Sequence, residues 1–150
     1  MSSVTRFVPV VVIAVACGCS AQPVEKLDKP LVPVRGKLSF QGKPMTNAIV
    51  TLHPVTPISV GENSKAQVSR TPFGVAGSDG TFAVTTLKPS DGAPEGEYAV
   101  TISWAGGIAP KSDNDAVPEL LPPQYQNPTA SGIRVQVRQG QPELPEIKLN

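Results

Sequence analysis

Short runs of alternating apolar and polar residues, separated by breaks rich in proline and glycine, constrain the fold of this chain most strongly. A period of two is typical of β-strands that bury one face. Seven segments show it: 32–40, 48–54, 73–77, 82–87, 98–104, 132–138 and 144–149. No segment of eight or more residues has the 3.6-residue period of an amphipathic helix. The sequence therefore predicts an all-β domain built as a β-sandwich.

The alternation also predicts which side chains face the core. The clearest strand is 98–104, where Tyr98, Val100, Ile102 and Trp104 share one face. In the other segments the residues predicted to point inward are Val32, Val34, Leu38, Phe40, Ala48, Val50, Leu52, Phe82, Val84, Ile133, Val135 and Val137. Asp79-Gly80 predicts a hairpin with a tight turn, in which 82–87 is the returning strand, because this pair suits turns that need a positive φ.

The N-terminus has the pattern of an export signal. Arg6 is followed by an apolar run over 7–16, which ends in small residues and two cysteines, Cys17 and Cys19. The run is too short for a permanent transmembrane helix, which needs about 20 residues. A signal that ends in cysteine resembles the bacterial lipoprotein class, in which the cysteine becomes the acylated N-terminus. We therefore expect an exported chain that is lipid-anchored to a bacterial membrane, on its periplasmic or cell-surface face.

Two cysteines compete for the lipid. Cleavage before Cys19 is preferred, because Gly18 is small and the apolar run then has a suitable length; Cys17 is the alternative. An ordinary secretory signal, cut after Ala16 or Ala21, also stays open. The predicted organisation is a signal peptide over 1–18, a flexible tether over 19–31 and a domain over 32–150. Two or three acyl chains would hold such a domain stably on a membrane.

The composition argues against nucleic acid as a partner and against a disulfide within the domain. The chain has 13 Lys and Arg against 12 Asp and Glu, a formal net charge of +1. Such a balance argues against nucleic acid as a partner. Both cysteines lie at the signal boundary, so the domain is expected to fold on its core alone, without a disulfide.

Several motifs occur in the order seen in carboxypeptidase regulatory-like domains. They are the 34–38 strand with the 42–44 turn and the 48–52 strand, the hairpin Ser78-Asp79-Gly80-Thr81-Phe82, and the strand entry 94–100. The hairpin is one residue shorter than the family pattern. The tail, at 121–125, 128–132 and 144–149, resembles small bacterial lipoproteins built on this domain. The resemblance covers about 32–150 and implies a seven-stranded Greek-key sandwich of the transthyretin/prealbumin-like kind, with a long loop before the last two strands. It also implies a binding or spacer role without catalysis.

Catalytic and metal-binding residues are sparse. The one histidine, His53, ends a strand and has no second histidine for a two-histidine metal site, and the domain has no thiol. Carboxylates stand at Asp91, Glu95 and Glu97, and in the Asp113-Asn114-Asp115 stretch, without the spacing of an EF-hand. We therefore predict no metal, no cofactor and no catalytic residue.

The long segment 105–131 is the candidate region for recognition. It exceeds the usual loop length, which predicts that it is functional, mobile or packed as a cover over the sandwich. Tyr125 is the candidate ligand-binding residue, with a capping role as the alternative. Tyr98 and Trp104 are predicted to pack in the core rather than to form a sugar-stacking surface.

Together these observations favour a non-catalytic, membrane-anchored extracytoplasmic lipoprotein, a structural or binding module at the cell envelope. Its predicted partners are the membrane, through the lipid, and an envelope protein or polysaccharide. The first alternative is a carbohydrate- or peptide-recognition module that uses 105–131. The second is a small hydrolase, although the related enzymes rely on several histidines that this chain lacks.

Overall fold

A computed structural model describes residues 29–56, 71–108 and 118–150, and this part of the chain is all-β. It contains ten strands and one short 3-10 helix, Pro123–Gln126. The strands are β1 (Leu31–Val32), β2 (Arg35–Phe40), β3 (Lys43–Pro44), β4 (Ile49–Pro54), β5 (Phe73–Val75), β6 (Thr81–Ala83), β7 (Ala93–Pro94), β8 (Gly96–Ser103), β9 (Arg134–Val137) and β10 (Ile147–Leu149). No helix within these ranges is long and apolar enough to cross a bilayer.

The strands form two four-stranded sheets and one short pair. In the first sheet β2 is central, with β6 and β3 antiparallel along one edge and β10 parallel along the other. The second sheet has the order β5-β4-β8-β9 and is antiparallel throughout. The remaining pair joins β1 to β7. The architecture is consistent with a β-sandwich, because both sheets contribute their apolar faces to one buried cluster.

The predicted inward faces are confirmed. Leu38, Val50 and Val100 are fully buried, and Ile102 is 1% exposed. Phe40, Trp104 and Ile133 are half-buried and pack against the same cluster. Each of the seven predicted segments overlaps one of the longer strands, although β6 and β8 begin before their segments, at Thr81 and Gly96. The two-residue strands β1, β3 and β7 bring the number in the described residues to ten, against seven predicted.

The turn at Asp79-Gly80 is present, and it leads the chain from one sheet to the other. Gly80 has φ +78°, and its N–H donates to Gly77 O at 3.0 Å. Beyond the turn, β6 pairs with β2, while β5 pairs with β4. A Cβ at position 80 would lie 2.4 Å from Leu38 O, so the close approach of these segments requires glycine.

Phe82 occupies space that two glycines on neighbouring strands leave open. A Cβ at Gly36 would lie 2.5 Å from the Phe82 ring, and a Cβ at Gly74 would lie 2.9 Å from it. The ring therefore covers backbone that would otherwise be bare, which compensates for the missing side chains.

Two predicted strands have different limits in the structure. Segment 32–40 is interrupted after Val32, where Pro33 lacks an N–H to continue a ladder, and β2 begins at Arg35. Segment 82–87 has β6 only to Ala83, followed by a bridge from Thr85 to Phe73. Beyond it, the chain bends because the Asp91 carboxylate accepts the N–H groups of residues 86–88 at 2.7 to 2.9 Å.

Candidate functional site

The described part of the 105–131 segment is a cover over the sandwich. The 3-10 helix Pro123–Gln126 begins with proline at its first turn and lies against β8. Its Tyr125 is half-buried and packs against the core cluster, and Leu121 is buried beside it. The ring of Tyr125 therefore packs against the core, and its role in ligand binding stays a prediction. Residues 109–117 lie outside the described residues.

Glu119 fastens the base of this segment to the end of β8. Its carboxylate accepts the Trp104 N–H at 2.9 Å, the Leu121 N–H at 3.0 Å and the Ser103 hydroxyl at 2.6 Å. Leu120 N–H in turn donates to Trp104 O at 2.9 Å. Sequence reasoning missed this residue, because a single glutamate in an irregular segment carries no local pattern.

Tyr98 and Trp104 pack against the core. Tyr98 is 1% exposed, and its hydroxyl donates to Pro94 O at 2.7 Å. Burial raises the pKa of Tyr98 to about 12. Trp104 is half-buried, its Nε1 donates to Thr46 O at 2.9 Å, and its ring centroid lies 5.6 Å from that of Phe40. The prediction of core packing is confirmed for Tyr98, whose ring is closed to a sugar.

His53 lies on the outer face of the second sheet. Its Nε2 is 2.9 Å from Thr101 Oγ1 of the neighbouring strand, within hydrogen-bonding distance. Burial lowers the pKa of His53, so the neutral imidazole is favoured. The hydroxyl belongs to a threonine in the middle of β8 that is itself buried.

The carboxylates considered as calcium ligands bond instead to the protein. Asp91 caps the bend after Thr85, Glu95 accepts the Gln139 N–H at 2.6 Å, and Glu97 lies 3.6 Å from Arg134. Within the described ranges, no three His, Cys, Asp or Glu side chains are grouped so that they would hold a metal ion. Asp113-Asn114-Asp115 lies outside those ranges.

A cavity of about 450 Å³ opens on the outer face of the first sheet, where the pairing of β2 with the C-terminal segment is interrupted. Arg35 pairs with Glu143, and Leu38 pairs with Ile147. Two residues separate these pairs on β2, but three residues, 144–146, separate them on the opposite segment. The extra residue is a β-bulge, which opens the ladder and turns side chains outward. Among the described residues, no backbone hydrogen bond joins Lys37 to 144–146.

We call this the bulge cavity, and most of the side chains that line it are charged. Arg35 and Lys37 line it from β2, Glu143 and Glu146 from the C-terminal segment, and Thr81 from β6. The Ser39 hydroxyl donates to Glu146 at 3.2 Å, and Lys148 lies 3.3 Å from the same carboxylate. Partial desolvation raises the pKa of Glu146, but these two partners and the charge of Lys37 outweigh it, so the pKa lies below its usual value.

The bulge cavity was absent from the sequence-based candidates. Pro145, which cannot donate in a ladder, is the one local signal for a break in the segment 144–149. The predicted lipidation residue Cys19 and its alternative Cys17 lie outside the described residues, so lipidation stays a prediction. Comparison with protein families, curated proteins and solved structures found no match for this chain.

Proposed function

We propose that this chain is a membrane-anchored extracytoplasmic lipoprotein whose β domain is a non-catalytic binding or structural module at the cell envelope. The anchor rests on the basic residue, the apolar run over 7–16 and the cysteines that end it. Among the described residues, the first strand begins at Leu31, the last residue of the predicted tether over 19–31.

The observation that carries the non-catalytic role is the setting of His53. A hydrolase needs a base that activates a nucleophile and that is itself oriented by a third group. The group within hydrogen-bonding distance of His53 Nε2 is the hydroxyl of Thr101, buried in the middle of a strand. Asp91 and Glu119 bond to backbone N–H groups, which is a structural use of a carboxylate.

We further propose that the domain has the seven-stranded Greek-key topology of transthyretin-like, carboxypeptidase regulatory-like domains. Among the described residues, the two sheets contain seven strands of three or more residues, and this number and the order of the motifs support the assignment. Tyr98 lies near the start of β8, and its hydroxyl donates to Pro94 O of β7, four residues upstream, as in the tyrosine corner of Greek-key sandwiches.

A second candidate function is recognition of a carbohydrate or a peptide by 105–131. Glu119 bonds this segment to the end of β8, and Ile108 and Leu120, which lie on either side of 109–117 in the chain, are 57% and 55% exposed. Exposed apolar side chains on a fixed base are typical of binding loops. Hydrogen exchange with a panel of glycans and peptides tests this candidate: protection of 105–131 supports it, and no protection with any of them contradicts it.

The intact mass of the protein from the membrane fraction tests the anchor. We expect a mature chain that starts at Cys19 with diacylglycerol and acyl groups added. The Cys19→Ala variant should lose the lipid and leave the membrane fraction, whereas Cys17→Ala should keep both. Loss of lipid in Cys17→Ala alone would move the site to Cys17. An unlipidated mature chain would contradict the proposal and indicate a diffusible secreted domain.

A further inference from the structure

The bulge cavity has the size and the construction of a small-ligand site. Its volume of about 450 Å³ falls in the range of known ligand pockets, roughly 300–1,000 Å³. It lies at the extra residue in 144–146, where Leu144 is buried and the charged side chains that line the cavity are exposed. Bulges often occur next to functional sites.

The two sides of the cavity carry opposite charges. Arg35 and Lys37 are two residues apart on β2 and therefore project from the same face of the sheet. Glu143 and Glu146 project from the neighbouring C-terminal segment. Among the described residues, neither cation comes within 4.0 Å of either carboxylate. No ion pair therefore closes the cavity among these four side chains, although the charge of Lys37 acts on Glu146 at longer range.

The two carboxylates differ in their present partners. Glu146 is oriented by Ser39 and Lys148, which occupy one oxygen each. The carboxylate of Glu143 accepts no hydrogen bond from any described residue; its backbone carbonyl is the atom that Gln141 reaches. Glu143 is therefore the carboxylate that can accept hydrogen bonds from a cationic group of a ligand.

We propose that the bulge cavity binds a small zwitterion of the amino-acid or dipeptide type. The ligand carboxylate accepts hydrogen bonds from the Arg35 guanidinium and from the Lys37 ammonium, and the ligand ammonium donates to Glu143. Arginine suits a carboxylate because its planar group donates two parallel bonds. A ligand with a single charge would be attracted by one side and repelled by the other, and an apolar ligand would desolvate charges without replacing their hydrogen bonds.

This proposal makes the binding role given under Proposed function specific and rests on that role, but not on the lipid anchor or on 105–131. A failure to bind zwitterions would leave lipidation of Cys19 untouched. A mature chain without lipid that binds zwitterions would contradict the proposed anchor and support the proposed ligand site.

Titration of the ¹⁵N-labelled full-length protein with Ala-Ala dipeptide, followed by NMR, tests the proposal. We expect saturable shifts of the amides of Arg35, Lys37 and Glu143. N-acetyl-Ala-Ala lacks the ammonium group and Ala-Ala amide lacks the carboxylate, and each should bind about tenfold more weakly, the usual effect of losing one charged hydrogen bond. A neutral disaccharide should cause no saturable shift.

Glu143→Gln removes the charge on one side of the cavity and keeps the shape of the side chain. We expect Glu143→Gln to bind Ala-Ala about tenfold more weakly. The matched control, Glu97→Gln, should bind Ala-Ala with little change in affinity. Glu97 is also exposed and lies on β8 of the other sheet, beside Arg134. The proposal is overturned if Ala-Ala causes no saturable shift, if either blocked dipeptide binds as tightly, or if both variants lose the same affinity.

Discussion

Replacement of Ile102 by alanine measures how much the core of the second sheet contributes to stability, and Ile49→Ala provides a matched comparison. The two isoleucines lie on adjacent strands, where Ile102 pairs with Val50 and Ile49 with Ser103. Ile102 faces inward and is 1% exposed, whereas Ile49 faces outward and is 46% exposed. The two variants therefore remove the same atoms from opposite faces of one sheet, at neighbouring pairs of the β4–β8 ladder.

The expected losses differ because one site is closed and the other is open to water. Truncation of Ile102 removes three buried carbons, about 2.4 kcal/mol at roughly 0.8 kcal/mol for each. A residual cavity of about 50 Å³ adds about 1.2 kcal/mol, so the total is about 3.6 kcal/mol. About half of the Ile49 side chain already contacts solvent and its removal leaves no cavity, so its loss is about 1 kcal/mol. The lower β-propensity of alanine affects both variants alike.

Urea denaturation of the full-length protein, followed by the fluorescence of its one tryptophan, Trp104, gives both free energies of unfolding. We expect Ile102→Ala to lose about 2–3 kcal/mol more than Ile49→Ala. Equal losses, or a larger loss from Ile49→Ala, would refute the assignment of the buried face and with it the register in which β4 pairs with β8.

Two further predictions concern polar contacts. Tyr98→Phe removes the hydroxyl that donates to Pro94 O and should cost about 1–2 kcal/mol in the same urea assay. Because the pKa of Tyr98 is about 12 in the folded protein against 10.0 ordinarily, the neutral hydroxyl stabilises the fold fully below pH 10, and that contribution is lost as the pH rises towards 12. Between pH 10 and 12, the free energy of unfolding of the Phe variant should therefore fall less steeply with pH than that of the unmodified protein. Equal slopes of this free energy against pH in the two proteins would contradict the prediction. Glu119→Gln weakens the bonds to Trp104 and Leu121, so the amides of these two residues should exchange faster with solvent. Unchanged protection would show that Glu119 does not hold the base of 105–131.

The faces of the strands were predictable from the sequence because they depend on neighbours along the chain. Successive side chains in an extended backbone point to opposite sides, so the parity of Leu38, Val50 and Ile102 sufficed to place them in the core. The turn at Gly80 was predictable for the same reason, since the positive φ is a local requirement.

The ends of the strands were less predictable, because distant side chains decide them. Asp91 takes the N–H groups of residues 86–88 and bends the predicted 82–87 strand. Glu119 takes the Trp104 N–H at the end of β8. Neither carboxylate belongs to a local sequence pattern. Each accepts backbone N–H groups only because the fold brings these groups close to it.

By itself, the sequence determined the class of secondary structure, the buried faces of β2, β4, β6, β8 and β9 and the position of the tight turn, because these follow from backbone geometry over a few residues. It also predicts the exported, lipid-anchored N-terminus. The tertiary structure alone decided that β10 lies parallel to β2, that its approach contains a bulge, and that Arg35 and Glu143 meet at one cavity. Those residues are more than 100 positions apart in the chain, and their meeting depends on the pairing of whole strands, for which alternation carries no information.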